Sequence, residues 1–407
     1  MSDPRNTGSR WGWVANLVLA LASVSVSLAL GELLFRALPA WSGEKAPGEG
    51  KAYRFNPFRP DPYLPFALRE GARAVHQTEH FEVGVSINES GLRGPSIPAT
   101  RPPGRYRVLV LGDSFAFGWG VEEADSFGAR LAQGLRVGTD RVEVLNGGVP
   151  GWSADDQLIF LERRGLDLSP DLVLMVETEN DPDDLQWKEL ELDEGALPVR
   201  ARSTHRIVDH RGRLRTVRGV PAVDFPGEEW LRSHSYLWNA VRFRLTKLHL
   251  RFLESTSPTL DPDEEERLLG RPLARLTPSE LQRGLRSSPR FRLAYHRMLR
   301  GAIEARSRSR GISVRRLLVT FSDRSSFDPQ VLEGLHRDCA ASEGICLDTR
   351  DFFEDREQAE AFYPGDGHWT PFGHRRVAER LSAWLERTLP SAAAAPIDRE
   401  DEAPDPQ

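Results

Sequence analysis

Lysine, cysteine and methionine are scarce in this chain. Of its 407 residues only Lys45, Lys51, Lys188 and Lys247 are lysine, two are cysteine and three are methionine. Two cysteines exclude a disulfide-rich scaffold and a zinc site built from four thiolates. Arginine supplies the rest of the positive charge, which reads as codon bias without functional content. Excess charge is lacking too. The net value is −6, which excludes the basic footprint of a nucleic-acid binder. No internal repeat is present. What remains is 28% charged and 39% hydrophobic residues, a globular composition with room for two or three domains or one large one.

The ends differ from the body. Residues 13–31 (WVANLVLALASVSVSLALG) carry no charge. As a helix they span roughly 28 Å, close to the hydrocarbon thickness of a bilayer. Trp11, Trp13 and Trp41 flank the run, and Arg5 and Arg10 precede it. Residues 1–37 are therefore expected to be a cytoplasmic tail and a transmembrane anchor, with the remainder extracytoplasmic. Ala29-Leu30-Gly31 offers the competing reading of a cleaved signal peptide, and a buried core helix is a third. Residues 38–75, with several Pro and Gly, read as a linker. Residues 391–407 (SAAAAPIDREDEAPDPQ) read as a disordered tail.

Between them, residues 76–390 read as one α/β domain. Short apolar runs at Arg107–Leu111, Val142–Leu145, Leu172–Val176, Leu317–Phe321 and Ile345–Leu347 alternate with helical segments. That pattern predicts about five parallel strands, covered on both faces, with sites at their carboxyl ends. His80–Asn88 alternates as a strand and predicts a hairpin. An insertion at about 182–314 predicts a strand pair turning at Asp209–Gly212 and helices near Glu228–Leu253 and Pro278–Arg306. Trp230–Leu253 is amphipathic and basic, which suits a membrane surface or plain packing. Cys339 and Cys346 flank a predicted helix-to-strand turn. They are either a disulfide formed outside the cytoplasm or two small buried residues.

Four segments carry candidate chemistry. Ser114, in Gly112-Asp113-Ser114-Phe115, stands where a strand meets a helix, so its hydroxyl lies at the carboxyl edge beside free N–H groups. An ordinary N-cap serine occupies such a place too. Gly148, in Asn146-Gly147-Gly148-Val149-Pro150-Gly151, follows the second strand and lets a ligand approach the backbone. Asn180, in Glu179-Asn180-Asp181, follows the third and can donate its amide to an oxyanion. Asp366-Gly367-His368-Trp369 precedes the last helix. It supplies an imidazole base and a carboxylate to orient it. Each segment alone has a bland reading as a turn; their order and placement make coincidence a poor explanation.

In this order the blocks resemble the signature blocks of the SGNH/GDSL hydrolase superfamily, over about Arg105–Asp181 and Leu317–Leu389. The resemblance implies a flavodoxin-like three-layer α/β/α sandwich and a serine esterase or acyl-transfer enzyme that uses no metal and no cofactor. Carried over, Ser114 is the nucleophile, His368 its base and Asp366 the orienting acid. The Ser114 and Gly148 N–H groups and the Asn180 amide form the oxyanion hole. Ile87–Gly94 (INESGLRG) and the N-terminal run look like a membrane-tethered bacterial branch.

There are departures from the pattern. Only Gly367 separates Asp366 from His368, where the commoner block has two residues. With the Trp that follows, this looks like polysaccharide O-acetylation proteins, though in some of those the short block precedes the serine. The third block has Thr178 where Gly is usual, and Glu179 precedes Asn180. An inward Glu179 carboxylate would oppose an oxyanion. An outward or arginine-paired one is harmless, and side-chain alternation favours that.

Weaker candidates are His374 as a second histidine, Asp181, Asp183 and Asp184 as an acidic cluster, and Trp152, Trp187 and Trp369 as stacking platforms. Three functions compete: an esterase acting on O-acetyl groups of envelope polysaccharide, a glycan O-acetyltransferase using the same triad, and an inactive glycan-binding or scaffold protein.

Overall fold

The computed structural model describes residues 9–37, 55–98, 101–137, 140–208, 212–216, 260–325 and 327–389, with single residues between 231 and 241. The predicted tail at 391–407, the linker's residues 38–54 and most of Trp230–Leu253 lie outside the described residues.

The elements run α1 (Ser9–Ala37), β1 (Phe58–Arg59), β2 (Ala67–Leu68), β3 (Arg73–Gln77), β4 (Glu82–Ser86), β5 (Arg105–Leu111), α2 (Ser114–Phe117), α3 (Phe127–Gly134), β6 (Arg136–Val137) and β7 (Asp140–Asn146). Then come α4 (Ala154–Phe160), β8 (Leu172–Thr178), α5 (Asp181–Asp184), β9 (Lys188–Leu192), β10 (Pro198–Ser203), β11 (Arg206–Val208) and β12 (Leu214–Thr216). The last part holds α6 (Pro262–Leu269), α7 (Pro278–Ser287), α8 (Pro289–Arg308), β13 (Ser313–Val319), α9 (Pro329–Ala340), β14 (Cys346–Asp348), α10 (Asp355–Ala361) and α11 (Pro371–Thr388).

The chain divides into two units, Met1–Ala52 with Thr204–Ser257, and Tyr53–Ser203 with Pro258–Gln407. In the first, α1 contains a 22-residue stretch, Trp13–Leu34, long and apolar enough to cross a membrane. Its apolar side chains are exposed. The Arg206–Val208 and Leu214–Thr216 strands pair as a hairpin, matching the expected strand pair.

In the second unit the central sheet has strand order β14-β13-β8-β5-β7-β6. Five strands are parallel and the two-residue β6 adds an antiparallel edge. This is the predicted three-layer α/β/α sandwich. All seven residues of β8 are buried, as an unbroken apolar run requires when helices cover both faces. On one face Phe127 and Leu131 of α3 and Val377 and Leu381 of α11 pack on Val108, Val110, Leu174 and Leu317. On the other, Leu293 of α8 and Val331 and Leu335 of α9 pack on Leu318. A disulfide joins Cys339 in α9 to Cys346 in β14, which settles the two readings of that pair in favour of a bridge.

The linker expectation needs correction where the chain is described. Residues 55–75 are folded: Phe58, Phe66 and Leu68 are buried, and β1 pairs with β2. Asp61 lies beneath them, paired to Arg59 and Arg164. Aromatic burial on two-residue strands leaves no periodicity, so only the prolines and glycines were visible. The expected hairpin forms, with β4 antiparallel to β3.

Candidate active site

The carboxyl ends of β5, β7 and β8 gather the first three blocks, and the loop before α11 brings the fourth. Ser114 opens α2, where Asp113 caps the helix by accepting the Phe115 N–H at 2.9 Å. With only four residues, α2 has little macrodipole, so any help to an anion comes from individual N–H groups. Ser114 Oγ lies 2.7 Å from His368 Nε2. His368 Nδ1 lies 2.6 Å from Asp366 Oδ1. The one-residue spacing lets Asp366 Oδ1 also accept the His368 backbone N–H, at 3.3 Å. Burial pushes the Asp366 carboxyl up, but its hydrogen bond to His368 and the imidazole's charge hold it below the usual carboxylate value. Trp119 stands beside the pair. Its ring lies 5.4 Å from that of His368, and Phe115 lies 4.8 Å away.

The three expected oxyanion donors are not equally placed. Gly148 is pressed onto the turn that carries Ser114: a Cβ there would stand 2.4 Å from the Phe117 nitrogen and 2.7 Å from the Ala116 Cβ. Its N–H donates to Asn146 Oδ1 at 3.0 Å, so a bound oxyanion would have to share it. Asn146 Nδ2 in turn donates to the Phe117 carbonyl, tying the second block to the first. Asn180 Nδ2 donates to Asp184 Oδ2 at 3.3 Å, which fixes the amide's orientation and leaves its second N–H for a ligand. The Asn180 Oδ1 atom is buried without a partner.

Glu179 takes the harmless course. Its carboxylate accepts from the Phe321 N–H at 3.0 Å, from Arg324 at 2.8 Å and from His336 at 2.8 Å. His374 is buried and accepts the Phe127 N–H at 3.2 Å. Burial drives its pKa down to about 3, so it is a neutral packing residue. Trp152 and Trp369 are buried in the core and Trp187 is half-buried. The acidic cluster is engaged: Asp183 pairs with Arg292 at 2.7 Å, and Asp181 accepts the Thr178 N–H and hydroxyl.

Three features went unread in the sequence. Arg93 is 3% exposed, and its guanidinium donates to the carbonyls of Phe117, Gly118 and Val121, bracing the loop behind Ser114. Lys188 is buried against Asp155 and Asp156; its signal was its rarity. Asp113 and Asp181 form a buried carboxyl pair bridged by the Thr178 hydroxyl, 3.3 Å from Asp113 Oδ2 and 3.0 Å from Asp181 Oδ1.

Burial pushes the Asp113 carboxyl up to about 6, and the Asp184 charge adds to the rise. Asp181 is raised well above the usual range by burial and then by the Asp113 charge. A carboxyl raised in the folded state stabilises most below its ordinary pKa, and that contribution fades as pH climbs through about 6. Asp113→Asn keeps an acceptor for the Phe115 N–H and cannot ionise. Its melting temperature is expected to fall less than the wild type's between about pH 4 and pH 7. An equally steep fall in a thermal-denaturation series would show that Asp113 does not carry this pH dependence.

No family model matches the chain, and no curated protein matches it. Solved structures do. A structure described as a lipolytic protein of the G-D-S-L family, from Desulfitobacterium hafniense DCB-2, is 12% identical over 69% of this chain and 99% of its own, with a TM-score of 0.37. A member of the same family from Veillonella parvula DSM 2008 is 13% identical over 69% and 99%, with a TM-score of 0.35. A catalytic mutant of an acetylxylan esterase from Geobacillus stearothermophilus is 12% identical over 70% and 94%, with a TM-score of 0.34. At such identities the functional reading rests on the chain's own geometry.

Proposed function

We propose that this chain is a membrane-anchored, extracytoplasmic serine hydrolase that cleaves carboxylic esters, with O-acetyl groups on envelope polysaccharide as its substrates. The observation that carries the reading is the unbroken line Ser114 Oγ, His368 Nε2, His368 Nδ1, Asp366 Oδ1, with links of 2.7 and 2.6 Å. A hydroxyl is a weak nucleophile until a base takes its proton, and a base oriented by a carboxylate does so best.

Ser114 Oγ attacks the ester carbonyl while its proton passes to His368 Nε2. The carbonyl oxygen becomes an oxyanion, received by the Asn180 amide and the Ser114 and Gly148 N–H groups. The bond from carbonyl carbon to alcohol oxygen then breaks, and His368 returns the proton to the departing alcohol. Water, deprotonated by His368, attacks the acyl-serine and releases the acid and Ser114. The apolar span in α1 supports the anchor, and the Cys339–Cys346 disulfide supports an oxidising compartment.

A fluorophosphonate probe tests the assembled pair. The full chain is expected to be labelled, and the Ser114→Ala and His368→Ala variants are not. A well-folded wild type that takes no label would turn the reading to a glycan-binding or scaffold protein.

A further inference from the structure

We infer that Glu179 is a positioning residue for the ester chemistry: its buried carboxylate ties the strand end that carries Asn180 to the loop on which the Asp366–His368 turn rests. This depends on the hydrolase reading and adds to it the group that keeps an oxyanion donor and the base in register.

The ladder between β8 and β13 ends where Thr178 stands opposite Val319. One residue on, Glu179 extends the connection with its side chain. Its Oε2 accepts the Phe321 N–H at 3.0 Å, and the next residue in the chain is Asn180. Phe321 leads from there to the base. Its ring meets that of Phe115 edge-on at 5.1 Å, and Phe115 lies 4.8 Å from the His368 ring. Gly367, between Asp366 and His368, has φ +81° and sits over the same loop: a Cβ there would stand 3.7 Å from Ser322 Oγ and 3.9 Å from Phe321 Cδ1. The oxyanion arm and the base turn are thus joined through one carboxylate.

That carboxylate is itself held. Glu179 is 0% exposed, and Arg324 and His336 each approach its Oε1 at 2.8 Å. His336 Nδ1 lies 2.7 Å from Asp348 Oδ2, which also accepts the Arg350 Nε–H at 2.8 Å. Burial pushes the His336 imidazole down, but its hydrogen bonds to Asp348 and Glu179 outweigh this and hold its pKa above the ordinary value. A buried ionic array adds little net stability over an apolar replacement. What this one adds is direction, because its three donors fix both carboxylate oxygens. Direction matters at a reacting centre, where a misplacement of about 1 Å costs on the order of 10²-fold in rate.

Two substitutions separate position from charge. Glu179→Asp keeps the charge among its cations but withdraws the carboxylate by one methylene from the Phe321 N–H. Glu179→Gln keeps the reach and an acceptor oxygen but removes the charge. The full chain and both variants are assayed on p-nitrophenyl acetate. Turnover is expressed per serine titrated by a fluorophosphonate, so that any unfolded fraction drops out. Glu179→Asp is expected to lower kcat by about tenfold or more with KM within about threefold of wild type, and Glu179→Gln to keep kcat within about threefold. A purely structural ion pair predicts full turnover per labelled serine in Glu179→Asp. That result, or a larger loss in Glu179→Gln than in Glu179→Asp, would overturn the positioning role and leave the hydrolase intact. A wild type that takes no label and cleaves no ester would overturn the hydrolase reading, and the role with it.

Discussion

Ser114→Ala is expected to lower kcat/KM for any ester by about 10⁴-fold or more, to what the remaining binding groups alone provide. His368→Ala should fall equally far, because the 2.7 Å link makes serine and base one device. The double variant should be no worse than either single one, since members of a triad are grossly non-additive. Asp366→Asn should cost less than removing the base itself. It keeps an acceptor for the His368 backbone N–H but loses the charge that stabilises the imidazolium. Initial rates on one soluble ester, with circular dichroism to show intact folding, decide the matter. A folded Ser114→Ala protein retaining turnover within about tenfold of wild type would remove Ser114 from the chemistry.

Lys188→Met is expected to be the most destabilising of these substitutions, by about 3–5 kcal/mol at neutral pH, the usual cost of stripping a buried ion pair of one partner. Asp155 and Asp156 are both fully buried, and Lys188 Nζ is the cation between them, 3.6 Å from Asp155 and bonded to Asp156. Burial pushes Asp156 up to about 7 and the Asp155 charge adds to it, while Lys188 pulls it back. The same two aspartates raise Lys188 against its own burial. Charge balances when Lys188 faces one carboxylate and one neutral carboxyl. Without the lysine nothing offsets the burial that already raises Asp156, which must take up a proton to stay inside. The loss should therefore shrink in acid and grow above pH 7, where protonation is costly. Asp156→Asn added to Lys188→Met should recover part of it. Urea titrations at two pH values check this; a pH-independent loss would show that packing, not charge, accounts for Lys188.

Much of this was legible in the residues. The all-apolar runs at Leu172–Val176 and Leu317–Phe321 announced buried parallel strands, because only a two-sided sheet tolerates them. Ser114 and Asn180 followed such runs, which is enough to bring them to one edge, and His368 stood just before the last helix. Glu179 turned from the site as alternation at a strand end requires, although its partners His336 and Arg324 lie far along the chain and could not be named. The Gly148 N–H gave no sign that Asn146, two residues earlier, accepts it; such a local turn competes with a ligand for one donor. Lys188 and Arg93 were missed for a shared reason. Each is a charge made tolerable by partners 24 or more residues away, and no periodicity marks such a pairing.

Arg93 also changes how the protein can be dissected. A fragment trimmed to begin at β5 would keep the whole sheet, the nucleophile and the base. It would lose the guanidinium that gathers three carbonyls of the loop behind Ser114. Such a fragment could be well folded by every spectroscopic measure and still turn over slowly. The segment after the β3–β4 hairpin thus belongs to the body that carries Ser114. Phe55 packs on Phe117 and Trp119 of the loop behind Ser114, so the folded body reaches back at least to Phe55, although the four signature blocks begin only at Gly112.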